Sequence, residues 1–141
     1  MKKTAIGILA ISMFLLARPV LAQDGRAAEA AADLSQVYSL NEAQQAEMLK
    51  IQARKYRNLA EVAPLQEQDL NQYFQKIKAL QFGHEKSVER MLDESQLPVH
   101  RQRQTAFRER RAALVKTLKD SQATEETVTQ EMLRLYLEAL D

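Results

Sequence analysis

The sequence predicts an all-α protein, and three observations carry that expectation. The 141 residues contain only three Gly and three Pro, so few positions break a helix. No stretch alternates Val, Ile, Thr or aromatic residues with polar ones in the manner of a strand. Good N-cap residues stand several times in front of long stretches whose apolar residues recur at steps of three and four. The expected architecture is one domain of four main helices, residues 39–141, preceded by a weakly helical arm.

Residues 1–22 read as a secretory signal peptide. Lys2 and Lys3 form a positive start, Ala5 to Ala17 an apolar core, and Val20-Leu21-Ala22 a small-residue cleavage site. The apolar run is about 13 residues, short of the roughly 20 that span a bilayer. No stable membrane insertion of the mature chain is expected. Loss of Lys2, Lys3 and Arg18 leaves 17 basic against 19 acidic residues, a net charge of −2. That balance argues against a nucleic-acid partner. Without cysteine, neither disulfides nor thiolate metal sites can form, so stability must come from helix packing or self-association.

Residues 23–38 are Ala-rich, with Leu34 and Val37 as the large aliphatic groups of Asp24–Tyr38. This reads as a loose helical arm with a disordered start. Leu40-Asn41-Glu42-Ala43-Gln44 comes next. Asn41 can cap a helix while Gln44 reaches back to its backbone N–H, a capping box. The helix so opened should run to about Val62, ahead of Pro64. One row, Ala46, Leu49, Ala53, Tyr56, Ala60 and Ala63, repeats like a heptad. A second row holds Met48, Ile51, Leu59 and Val62. Together they cover roughly 200° of the wheel, against the ~100° that one core contact needs. Such a face is either buried on two sides or partly open to a client.

Leu65 to Leu92 is expected to be one helix, with Leu70, Tyr73, Ile77, Leu80, His84, Val88 and Met91 along its seam and a bend allowed at Gly83. His84 reads as a seam histidine with one hydrogen bond. Neither it nor His100 has ligands at metal spacing beside it, so no metal or other cofactor is assigned. Leu92-Asp93-Glu94-Ser95-Gln96 then repeats the capping pattern, with Leu92 placed to staple onto Leu97. Pro98 leaves two alternatives: an early kink, or a helix that begins at the proline. Val99–Lys119 carries a net charge of +6, and residues 120–141 carry −5. Thr124 can cap a last helix whose apolar face holds Val128, Met132, Leu135, Tyr136, Ala139 and Leu140, broadened by Leu133 and Leu137. It should pack near the basic helix, within one chain or across a dimer.

The repeated Leu-(cap)-x-x-Gln, with Leu40, Asn41 and Gln44 in one copy and Leu92, Asp93 and Gln96 in the other, resembles the paired LTxxQ motifs of the Spy and CpxP type of envelope stress proteins. The likeness covers about residues 38–111. Asn41 and Asp93 stand where the motif has threonine, and both keep the capping chemistry. Pro98 and the acidic last helix have no counterpart in that pattern. The resemblance implies a cradle-like arrangement of long helices, a homodimer, and a periplasmic location. It implies either an ATP-independent chaperone for unfolded or partly folded proteins or an inhibitor that docks on a sensor domain. A structural helical protein that merely self-associates is the remaining alternative. Some relatives handle metals, but the isolated histidines and missing cysteines set this chain apart from them. The expected client surface is Met48, Ile51, Leu59 and Val62, rimmed by Arg54 and Arg57. No Ser/His/Asp or Cys/His set and no phosphate loop suggests an enzyme.

Overall fold

The computed structural model describes the chain from residue 17 to residue 141, with side chains placed from Asp24 onward. Most of the leader expected over residues 1–22 lies outside the described residues. Every regular element among the described residues is a helix: α1 (Ala17–Tyr38), α2 (Glu42–Val62), α3 (Leu65–Gln68), α4 (Leu70–Met91), α5 (Leu97–Asp120) and α6 (Glu125–Glu138). The protein is all-α.

The loose arm expected before residue 38 is corrected by α1, which is continuous and lies along α2. Its alanines are the reason. With Ala27 and Ala31 buried, the two backbones come close without needing large side chains. Tyr38 is buried at its end, and the Arg26 guanidinium lies 4.7 Å from the centre of the Tyr56 ring. The helix stops in a Schellman motif, with Leu40 N–H bonded to Ser35 O and Ser39 N–H to Gln36 O. Ser39 takes the left-handed conformation that this motif requires, φ 52°.

The capping box of Asn41 and Gln44 opens α2. On the wide apolar arc of α2 the heptad-like row is open except at buried Tyr56 and half-buried Ala53, and the second row is covered at Met48 and Ile51. Met48, Ile51, Gln52, Lys55 and Tyr56 are buried, whereas Ala46, Leu49, Ala60 and Ala63 of the heptad-like row are exposed. The helix expected over Leu65–Leu92 is broken at Asp69, which closes α3 and caps α4 by accepting from Gln72 N–H at 2.9 Å. An interior aspartate that can bond the backbone offers a new start where periodicity alone shows none. α4 passes through Gly83 without interruption. At Pro98 the second alternative holds in essence: α5 begins at Leu97, with the proline in its first turn. Thr124 caps α6, accepting from Thr127 N–H.

Two apolar clusters hold the helices together. One joins Ala31, Tyr38, Leu40, Met48, Ile51, Val88 and Leu92, with Leu97 packed against it. The other joins Tyr73, Ile77, Leu133, Tyr136 and Leu140. α6 therefore docks within the same chain, mainly on α4, with Tyr136 edge-on to both Phe74 and Phe107. The opposite charges of α5 and α6 meet at one exposed ion pair, Arg110–Glu138 at 2.6 Å. Such a pair contributes about 0–1 kcal/mol, so the apolar face of α6 supplies most of the docking.

Candidate functional site: paired motifs, a polar belt and a basic helix

The two motifs close on each other. Gln44 Oε1 accepts from Asn41 N–H at 3.2 Å, and Gln96 Oε1 accepts from Asp93 N–H at 3.0 Å. Each amide then donates to the other: Gln44 Nε2 to Gln96 Oε1 at 2.8 Å, and Gln96 Nε2 to Gln44 Oε1 at 3.0 Å. The second N–H of each reaches a carbonyl two residues ahead of the opposite cap. Gln44 donates to Met91 O at 3.1 Å, and Gln96 to Ser39 O at 3.4 Å. The arrangement is a pseudo-twofold amide pair. It explains why the motif ends in Gln where a capping box equally admits Glu, since Glu has no N–H to give. Beneath it Leu40 and Leu92 share the first apolar cluster.

The boxes differ in the structure they open. Asn41 starts α2 directly, whereas Asp93 closes a separate turn before α5. Its Oδ1 accepts from Ser95 Oγ, Ser95 N–H and Gln96 N–H. Those bonds, led by the Ser95 hydroxyl, hold its carboxyl below the usual range.

Between the apolar clusters lies a belt of polar side chains at one level of three helices. On α2 it interrupts the row from Ile51 to Leu59 with Gln52 and Lys55. On α4 it places Gln81, His84 and Glu85 between Ile77 and Val88. On α5 it places His100, Arg103 and Gln104 between Leu97 and Phe107. Gln104 Nε2 donates to His100 Nε2 at 3.1 Å, so the ring proton sits on Nδ1 and is given to the Tyr38 hydroxyl oxygen at 3.1 Å. Gln52 Nε2 likewise donates to His84 Nε2 at 2.9 Å. Burial lowers both histidines, and His84, with the cations Lys55 and Arg54 nearby, falls to about 4. Lys55 is only 5% exposed. It donates to Leu140 O and stands over the Tyr56 ring. Burial lowers it to about 8, against the opposing pull of Asp141. Burial also raises Glu85, whose Oε1 accepts from Gln81 at 2.6 Å.

The expected client surface is not an open groove. Met48 is 0% and Ile51 4% exposed, both inside the first cluster. Leu59 and Val62 are half-buried and pack against the second cluster. Arg54 and Arg57 are exposed, and Arg54 bridges to Ser87 of α4 at 2.9 Å. Apolar side chains reach solvent elsewhere, at Phe82 (62%), Leu49, Val37, Val99 and Val115. α5 stands out among the helices. Over its 24 residues it buries only His100 and Leu118, while Arg101, Arg103, Arg108, Arg110, Arg111, Lys116 and Lys119 are all exposed.

The chain matches no family model, no curated protein and no solved structure. Among the described residues no three His, Cys, Asp or Glu side chains are grouped to hold a metal ion, and no helix is long and apolar enough to cross a membrane. The belt is hard to see in the sequence because Gln52, Lys55, Gln81 and Gln104 pass as surface residues one at a time. The available signal is their coincidence: polar residues interrupt three apolar rows at one height.

Proposed function

We propose that the protein is an envelope stress protein of the LTxxQ type that holds unfolding polypeptides without ATP, and that it captures them on α5. The resemblance of the paired motifs supports the class, and their mutual clasp gives both copies one shared structural role. The observation that carries the capture surface is the cationic helix: a net charge of +6 over Val99–Lys119 on a helix that is almost wholly exposed. Such a surface draws acidic, incompletely folded chains by long-range attraction. Val99, Val115 and the nearby exposed apolar groups then offer short contacts to their apolar segments. Release needs no nucleotide, because a client that folds withdraws the surface it had offered. The leader expected from the sequence supports a periplasmic setting, and self-association through the open Leu49 row of α2 accords with the dimer that the resemblance implies. A regulatory role, docking on an acidic face of a sensor domain, would use the same helix. It is distinguished by one stoichiometric partner in place of many.

The test is suppression of aggregation of an acidic, thermally unfolding client by the purified protein. Replacing Arg101, Arg108 and Lys119 with Ser should weaken suppression and flatten its salt dependence while helicity stays intact. Equal suppression by the triple variant would refute capture on α5.

A further inference from the structure

We propose that the cavity within the polar belt binds a small organic anion, a carboxylate or phosphate carried on a short apolar body. The cavity measures about 270 Å³, and side chains from α1, α2, α4, α5 and the end of α6 line it. Its size, just under the usual range of ligand pockets, suits a small ligand.

The lining is mixed. Leu34, Val88, Phe107 and Leu140 supply apolar contact. Two cations, Lys55 and Arg103, line it as well, neither of which has an ion pair among the described residues; the lining cation Arg110 is already paired with Glu138. The acidic groups are less available than the cations. The Glu85 carboxyl is engaged by Gln81 and displaced toward its neutral form, Glu138 is taken by Arg110, and Asp141 is exposed to solvent. Neutral donors are also at hand. The Tyr38 oxygen accepts from His100, which frees the phenolic hydrogen, and the amide bond to His84 Nε2 leaves that ring's proton on Nδ1, which has no partner among the described residues.

Buried polar groups are nearly always satisfied, and among the described residues the one buried side-chain exception lies in this region. Gln52, wholly buried behind His84, keeps Oε1 without a partner. Lys55 holds a desolvated ammonium against one carbonyl and a ring. An anion seated between Lys55 and Arg103 would add a counter-charge to the Lys55 ammonium and an acceptor for the Arg103 guanidinium and the His84 Nδ1–H. Burial of its apolar body against Phe107 and Val88 would add to the affinity. Arg103, exposed on α5, stands where it can close over the entering head group.

The chain has two histidines, and both line the cavity. Their imidazole resonances therefore report on it without interference. The experiment titrates the mature protein with sodium octanoate, and separately with inorganic phosphate, following both rings by NMR. Saturable shifts of both rings are expected, with Arg103→Gln weakening the interaction about tenfold, as loss of a charge-assisted bond requires, and Arg90→Gln, at an exposed α4 position outside the lining, leaving it unchanged. Saturation by octanoate alone assigns an anion with an apolar body. Saturation by phosphate alone assigns the bare anionic head and removes the apolar contact from the account. Rings that do not respond to either probe, or equal binding by Arg103→Gln, would overturn the proposal and leave the belt a purely structural layer.

Discussion

Converting the motif glutamines to glutamates tests the amide clasp with the smallest change of shape. In Gln44→Glu the acceptor for Asn41 N–H remains, and Gln96 can still donate to it. Two donations are lost, to Gln96 Oε1 at 2.8 Å and to Met91 O at 3.1 Å. A typical intramolecular hydrogen bond contributes about 0.5–1.5 kcal/mol net, so the two together are worth about 1–3 kcal/mol. The new carboxylate oxygen faces two acceptors, which raises its folded pKa above the unfolded value. The folded state then keeps a proton that the unfolded state releases, and stability falls as pH rises through that window. The deficit is therefore full at neutral pH and shrinks on acidification. Urea denaturation monitored by circular dichroism, at neutral and mildly acid pH, measures it. A double-mutant cycle with Gln44→Ala and Gln96→Ala isolates the mutual pair, with an expected coupling of at least about 0.5 kcal/mol. Strict additivity, together with a Gln44→Glu stability equal to wild type at every pH, would refute the clasp.

Burial and charge set the other expected outcomes. Met48→Ala, at a fully buried position, should cost about 2–5 kcal/mol by urea titration, and Ile51→Ser with Leu59→Ser should melt the protein before it affects any client. His84 titrates near 4 folded against about 6.5 unfolded, so the unfolded chain binds the extra proton between these values. Stability should fall as pH drops through that window, by on the order of 3 kcal/mol at its acid end. Comparing the pH–stability curves of wild type and His84→Gln isolates this contribution. Gly83→Ala, where an added methyl meets nothing within 4 Å, should raise stability by about 0.5–1 kcal/mol, read as a higher melting temperature.

Local chemistry is the legible part of this sequence. The caps at Asn41 and Thr124 and the proline start of α5 rest on interactions within a few residues, and such patterns can be read directly. Asp69 is as local but lies inside a strong apolar period, which masks it. The helical wheel of α2 shows two apolar rows without showing which neighbour covers which. Long-range packing decides that: α1 and α4 cover Met48 and Ile51, Leu59 is half-buried against the second cluster, and Leu49 stays open. The packing of α1 is hidden because alanine content signals little hydrophobic area, although small residues permit the closest helix approach. The pairing of Gln44 with Gln96 joins positions 52 apart in sequence. The repeat hints at a common role, but only the three-dimensional arrangement makes the two copies partners.

Hydrogen exchange of the protein with and without a bound unfolding client tests capture on α5 most directly. The account predicts added protection along the exposed arc of α5, centred on Arg101–Lys119, with no new protection in the Met48–Leu59 stretch of α2, which is already buried. Protection gained over Met48–Leu59 together with faster exchange in α6 would contradict it, because the client would then be displacing α6 to reach the apolar core.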